Sequence, residues 1–339
     1  MKNKTFNIII IVLSAVIFMS FAISTKGLGH LIGQLKNLNY FWILLSSLLM
    51  VTYWIADSII LNIFAKSLSV KQTLWESFKM TMIGQFFNSI TPFYSGGQPA
   101  QVYFMMKRDI NCGVASSILA MKLVVYQGVL AIYSIIIVIL KFTFFKNNMS
   151  NFFCLAVLGL IINAGVILFL VLASINKRVT KGILTFILTI LSKIRIVKNV
   201  NKVLLRVEEE LDNFHKNSVL IIRNFGTLIW VSLFTAIQLT AYFVIPYFIY
   251  RSFNMNSADF FNMVAVGTFL NMIVTIIPLP GASGGSEGGF YMLFGMFFRR
   301  YYIVSAIIIW RIITYYFCIA FGSIFTIVEK NSGTISEVA

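Results

Sequence analysis

The chain has 339 residues, 59% of them apolar and 11% charged, with a formal net charge of +16. That balance excludes a water-soluble domain, and no segment is long enough to form a soluble module with the basic surface that nucleic-acid binding needs. In such a chain the positive charge speaks to membrane orientation and to anionic lipid headgroups.

Several apolar runs exceed about 18 residues, the length of a membrane span. Lys2 and Lys4 precede the first, from Phe6 to about Ser24. Its length and the lack of a small-x-small cleavage site make it a retained span with a cytoplasmic N-terminus. Residues 25–38 form a polar turn, and Tyr40 to about Phe64 returns to the cytoplasm at Lys66, Lys71 and Lys79.

Residues 73–106 are too interrupted to cross twice. Trp75 to Ile90 is long enough for a half-crossing, a break follows over Pro92–Pro99, and Ala100 to Met106 leads back to Lys107-Arg108. The pattern predicts a re-entrant hairpin dipping in from the cytoplasm. Open backbone at membrane depth is tolerated only inside protein or along a wet cavity, so the break is a candidate cavity wall.

Val114 to Leu140 then spans outward and Phe152 to Ala173 spans back. Residues 175–222 form the main cytoplasmic segment, and ten Lys and Arg lie between 177 and 223. Within it, Gly182 to Leu191 is too short to cross and fits an interfacial helix on anionic lipids. Residues 203–214 place Val203, Leu204, Val207, Leu211 and Phe214 on one helical face. Glu208, Glu209, Glu210 and Asp212 fall opposite, as a solvated face.

Phe225 to Tyr250 spans outward, Arg251 to Asp259 is a short outer loop, and Phe260 to Ile277 descends to a second break. Phe290 to Phe298 climbs back to Arg299-Arg300, an exception to the positive-inside trend. Tyr302 to Val328 is the last span, ending at Glu329-Lys330 in the cytoplasm. The predicted architecture is therefore all-α, with about six full spans and two opposed hairpins reading as an inverted repeat. Residues 1–330 form one transmembrane domain and 331–339 a tail. The setting expected is a bacterial inner membrane with both termini cytoplasmic.

The two breaks resemble one another. Gly84-Gln85-Phe86-Phe87-Asn88 leads into the first and Gly267-Thr268-Phe269-Leu270-Asn271 toward the second. In each, a proline lies four residues before a Gly-Gly pair: Pro92 before Gly96-Gly97, and Pro280 before Gly284-Gly285. Paired interruptions in corresponding apolar segments are a sequence pointer to a transporter's substrate site.

Chemistry in such a chain resides in its intramembrane ionisable groups, each of which costs roughly 2.5–3.5 kcal/mol on insertion scales unless paired or wet. Glu287 follows the second Gly-Gly pair, Arg311 lies well inside the last span, Lys122 inside the 114–140 span and Asp57 inside the second. Arg311, Lys122 and N–H groups freed at Gly96, Gly97, Gly284 and Gly285 would attract a phosphate, with Asn88, Gln98 and Ser286 beside them. Pro92, Pro99, Pro278 and Pro280 fix the breaks. Alternatively, Glu287–Arg311 and Asp57–Lys122 are buried ion pairs that only pin helices together.

Gln85, Gln101 and Asn271 suit the capping of open backbone or helix–helix hydrogen bonds. Cys112, Cys154 and Cys318 form neither a disulfide framework nor a metal site, and His30 and His215 stand alone. The glycines of 281–289 lack the Lys-Ser/Thr of a phosphate-binding loop. No nucleophile–base pair is evident, and neither an enzyme activity nor a cofactor is expected.

The signatures Pro92-x-x-x-Gly96-Gly97-x-Pro99 and Pro278-x-Pro280-Gly281-x-x-Gly284-Gly285-x-Glu287, with the hydropathy, resemble the lysylphosphatidylglycerol synthase transmembrane (flippase-like) family, over nearly the whole chain. The second signature departs from that family's pattern at Ala282, where a glycine is usual. The resemblance implies a helical translocase for lysyl-phosphatidylglycerol or another lipid-linked polar headgroup. Glu287 and Arg311 would contact that headgroup. Full-length members carry a soluble lysyltransferase domain, expected to be missing here. The alternative implied is a membrane component that presents lipid to a separate transferase, and a homodimer is compatible with either.

Overall fold

The computed structural model describes residues 37–148, 150–193, 200–274 and 277–335. The expected first span, Phe6–Ser24, lies outside them. The described residues are helical throughout apart from turns and breaks.

Helix α1 (Tyr40–Ser67) starts where the Asn39 side chain accepts the Phe41 N–H. After a turn, α2 (Leu74–Ser89) begins at a capping box in which Thr73 and Glu76 satisfy each other's backbone N–H groups. A 3₁₀ turn at Pro92–Tyr94 leads to α3 (Gly97–Met106), and Asn111 caps α4 (Cys112–Leu140). Then follow α5 (Phe142–Asn148), α6 (Ser150–Ile175), α7 (Lys177–Lys193) and α8 (Val200–Arg223). Helix α9 (Phe225–Ser252) is capped by Asn224 and carries Pro246 inside, and α10 (Phe260–Val274) follows it. A second 3₁₀ turn, Pro280–Ala282, precedes α11 (Gly285–Phe294). The last rod comprises α12 (Ile303–Arg311), a π-helical turn over Ile312–Tyr316, and α13 (Phe317–Ile335).

Among the described residues four helices are long and apolar enough to cross a membrane: α1, α4, α9 and the Ile303–Glu329 stretch. The expected 152–173 span falls on α6. At about 1.5 Å per residue, the 16 residues of α2 and the 15 of α10 are each shorter than a hydrocarbon core of about 30 Å.

The two helix–break–helix units enter the bundle from opposite ends. At one end Arg108, just past α3, donates to Glu329 of α13 (Nη2–Oε1 2.5 Å) and to Glu76 of α2 (2.8 Å), while Lys79 lies 3.6 Å from Glu329. The first unit is thus clamped at its feet to the last helix. At the other end Tyr250 packs edge-on against Phe298, just past α11, and Phe253 meets Tyr302. The Asn39 N–H donates to Ser252 there, bringing the start of α1 to the end of α9. Between the ends the two breaks pack against each other.

Tight crossings hold α2 against α13. A Cβ on Gly322 would come within 2.6 Å of the Met82 carbonyl and 2.7 Å of Phe86 Cβ, so only hydrogen fits. Small residues at such crossings let apolar helices gain dispersion contacts where the hydrophobic effect gives little.

Helix α8 buries Leu211, His215, Ser218 and Ile221, spaced three and four residues apart. Its acidic face stays solvated at Glu208 and Asp212, as expected from sequence, and departs from that expectation at Glu210. Glu210 accepts from the Gly113 N–H (2.5 Å) and from Asn111 Nδ2 (3.0 Å) at the start of α4. Glu208 and Asp212 pair with Lys181 and Lys177 of α7. The carboxylates lie beside an open helix N-terminus and a basic helix, and both attract them.

Candidate functional site

The paired breaks share one backbone solution. Pro92 and Pro280 each open a turn whose next two residues are left-handed: Phe93 and Tyr94 (φ 55° and 53°), Gly281 and Ala282 (φ 57° and 48°). Ser95 and Ser283 then donate both N–H and hydroxyl to the proline carbonyl, at 3.2 and 2.8 Å in the first break and 3.2 and 2.9 Å in the second. Gly96-Gly97 and Gly284-Gly285 begin the following helices.

The exposed helix starts are satisfied differently. In the first break neutral side chains serve: Thr91 Oγ1 accepts from the Gly96 N–H and Asn88 Oδ1 from the Gly97 N–H, both at 2.8 Å. In the second, the Glu287 carboxylate accepts from the Gly284 N–H (2.7 Å) and the Ser286 hydroxyl (2.9 Å). Its other oxygen takes Arg311 Nε at 2.7 Å, and Arg311 Nη2 donates to the Gly281 carbonyl at 2.9 Å. Glu287 and Arg311 are 4% and 3% exposed. The Arg311 guanidinium also lies over the Tyr315 ring, centroid 4.8 Å away. Tyr315 in turn donates its hydroxyl to the Ser89 carbonyl at the end of α2 (3.3 Å), tying one break to the other. A Cβ on Gly281 would run into the Tyr315 ring, which explains the glycine there.

Beside the breaks lies a cavity of about 330 Å³, walled by α1, α2, α3, α4, α9, α10 and the last rod (Thr314 and Cys318), with Phe93 and Tyr94 of the first break and Ile277 before the second. That volume is in the range of small-ligand sites. Asp57 of α1 and Lys122 of α4 meet on its wall at 2.8 Å, and Gln238 Nε2 of α9 donates to the free Asp57 oxygen at 3.1 Å. Gln85, Asn88, Gln98, Gln127 and Asn271 line the rest, half-buried, together with the rings of Tyr53, Tyr94, Tyr126 and Tyr242. A polar chamber of this kind inside an apolar bundle is costly to build, because each buried polar group forfeits hydration.

Of the residues expected from sequence, the cavity gathers Lys122, Asn88 and Gln98. Arg311 and Ser286 border a cleft of about 20 Å³ that shares Tyr94, Tyr242 and Asn271 with the cavity. Glu287 sits behind, spent on Arg311 and on the start of α11. The four glycines shape the breaks, and Pro92 and Pro280 open them. Pro99 stands in the first turn of α3, where a missing N–H costs no helical bond.

Gln238, Thr81, Tyr53, Tyr126 and Tyr242 were not singled out from sequence. An amide in an apolar span is a signal, but one shared with ordinary helix–helix hydrogen bonds. Among the described residues no group of three or more His, Cys, Asp or Glu could hold a metal. A shallow depression of about 480 Å³ on α7, lined by Arg178, Lys181 and Phe186 among others, involves one face of a single helix.

Comparison with known proteins agrees with this architecture. A membrane protein of Archaeoglobus fulgidus described as UPF0104 is 24% identical over 298 residues, covering 86% of this chain and 87% of that one. The family model described as the lysylphosphatidylglycerol synthase TM region matches residues 7–322, which include both breaks and every wall of the cavity, and the chain belongs to that family.

Proposed function

We propose that this protein is a phospholipid translocase of a bacterial inner membrane. One observation carries the proposal: a cavity of about 330 Å³ with a charged pair on its wall, set beside two packed backbone breaks within an apolar bundle. The two helix–break–helix units act as opposed re-entrant hairpins, an inverted repeat around the cavity. Four crossing helices, the expected first span and α6 complete six spans, with both termini cytoplasmic. A lipid headgroup entering the cavity exchanges water for amide and hydroxyl partners, while its acyl chains stay in the bilayer.

The family's description points to lysylphosphatidylglycerol as the cargo. Lys122, held in its pair with Asp57, is the cavity cation that faces the phosphate, and Arg311 and Ser286 border the adjoining cleft. Asn88 and Gln98 flank it, and the Gly96-Gly97 and Gly284-Gly285 breaks keep backbone out of its path. On the cytoplasmic side, Arg178 and Lys181 with exposed Phe186 lay α7 on anionic lipids. The word synthase in the family's description favours a second reading, in which the membrane body delivers lipid to a separate lipid-modifying transferase.

The test is reconstitution. Vesicles containing the protein and a fluorescent phospholipid are treated with an impermeant quencher. Quenching well beyond the outer-leaflet half is expected, falling at least tenfold in initial rate for Lys122→Met. Protein-containing vesicles that quench no faster than empty ones would end the translocase proposal. Copurification of a transferase with product formation would favour the second reading.

A further inference from the structure

We infer that the cavity selects a hydroxyl-rich headgroup, glycerol or sugar, over one that is only charged. The inference rests on the translocase proposal for its biological meaning, but it concerns what the site binds.

The charge inventory comes first. Asp57 and Lys122 are the only Asp, Glu, Lys or Arg among the described residues lining the cavity, and they are paired at 2.8 Å. The wall therefore has no surplus charge. A bare phosphate would have to draw Lys122 away and leave a carboxylate 5% exposed without its cation. An ammonium would have to displace Lys122 from that same carboxylate. Neither ion finds a vacant counter-charge.

What the wall offers in quantity is neutral. Gln85, Gln98, Gln238 and Asn271 each present an amide, which donates and accepts side by side. A hydroxyl also donates and accepts, so a polyol meets such a surface in many orientations without any ion being unpaired. Two wall atoms point the same way. Gln238 Oε1 and Thr81 Oγ1 have no hydrogen-bond partner among the described residues, although Gln238 is 1% exposed and Thr81 fully buried. Buried polar atoms are nearly always bonded, and exceptions call for an explanation. Gln238 holds its carbonyl oxygen next to the Asp57 carboxylate to which its amide donates at 3.1 Å. Two acceptors side by side suit the two O–H groups of a vicinal diol. Tyr53 and Tyr242, ring centroids 5.7 Å apart, supply flat surface for the C–H faces of glycerol or a sugar.

The experiment measures thermal stabilisation of the full chain, purified in detergent, by dioctanoyl lipids that differ only in headgroup. Phosphatidylglycerol and a glucosyl diacylglycerol are compared with phosphatidic acid and phosphatidylethanolamine. Half-maximal stabilisation is expected at about tenfold lower concentration for at least one hydroxyl-rich lipid, the factor set by one buried hydrogen-bonding group left unpaired. Preference for phosphatidylglycerol alone would place the source in glycerol phosphate, and preference for both in the hydroxyl pattern itself. Equal or tighter action of phosphatidic acid or phosphatidylethanolamine would overturn the inference.

Thr81→Val removes a hydroxyl that bonds nothing among the described residues, so the unliganded melting temperature should hold while the preference shrinks several-fold. Gln238→Leu should remove more of it. A preference unchanged in both would also overturn the inference. The vesicle assay separates the two proposals. Selective binding without movement would sink the translocase and keep the headgroup assignment. Movement of phosphatidylglycerol and phosphatidylethanolamine at equal rates, with equal stabilisation, would do the reverse.

Discussion

Two ion pairs lie deep in this bundle, and they are built for different ends. Glu287–Arg311 is the more enclosed: its remaining hydrogen bonds go to the second break, through the Gly284 N–H, the Ser286 hydroxyl and the Gly281 carbonyl, and the guanidinium lies over the Tyr315 ring of the last rod. Asp57–Lys122 joins two separate spans on a cavity wall, and the Lys122 side chain remains 15% exposed. An ion pair whose spare hydrogen bonds go to open backbone holds that backbone in shape. One that faces a cavity can be reached by a headgroup. The pair nearer the glycine motif is the more deeply buried, and the pair with no motif beside it lines the cavity.

The largest expected effect strikes the closed pair. Arg311→Met leaves Glu287 buried without its cation and should cost about 3–5 kcal/mol, read as loss of monodisperse protein and a lowered melting temperature. Adding Glu287→Gln should recover part of the loss. Wild-type melting of the Arg311→Met single variant would erase the contrast between the pairs.

Gly281→Ala comes next. At φ 57° a Cβ is strained, and here it also meets the Tyr315 ring, so a loss of roughly 1–3 kcal/mol is expected from thermal unfolding. Phe93 occupies the matching position at φ 55° and is 60% exposed, so Phe93→Ala should change melting by under about 0.5 kcal/mol. Equal losses at the two positions would mean that the breaks bear the same load.

For the open pair, Lys122→Met should lower stability by only about 1–2 kcal/mol while reducing lipid movement at least tenfold. A variant that moves lipid normally would return Asp57–Lys122 to the status of a helix pin.

The smallest effect is at the feet of the first unit. The Thr73 backbone N–H, with help from its hydroxyl and from Arg108, holds the Glu76 carboxyl below its ordinary 4.5. Because the folded value is the lower one, this stabilisation is complete above the unfolded value and disappears as pH falls through the folded one. Between pH 7 and about pH 3, wild type should lose up to about 1 kcal/mol more than Glu76→Gln, measured as the difference in melting shift. Parallel curves would remove Glu76 from the clamp.

Much of the fold was legible in the chain. Long apolar runs gave α1, α4, α9 and the last rod nearly to the residue, because crossing length and hydropathy are local properties. The likeness of Pro92–Gly97 to Pro280–Gly285 carried through to φ angles, since proline, serine and glycine constrain backbone within a few residues. The site was less legible. Glu287 stood out by its position after the glycines, yet cap geometry turned it inward. Gln238 and Tyr242 lie more than a hundred residues from Lys122, so nothing local marks them as neighbours. Glu210 read as solvated until α8 packed on the start of α4.

The sequence by itself determined that this is an all-helical membrane protein with two proline- and glycine-opened breaks, because hydropathy and backbone freedom act over short stretches of chain. Only the tertiary structure decided which ion pair is closed and which lies open, and which amides share a wall. Burial and partnership depend on side chains that packing brings together from distant helices, and no single stretch of sequence specifies them.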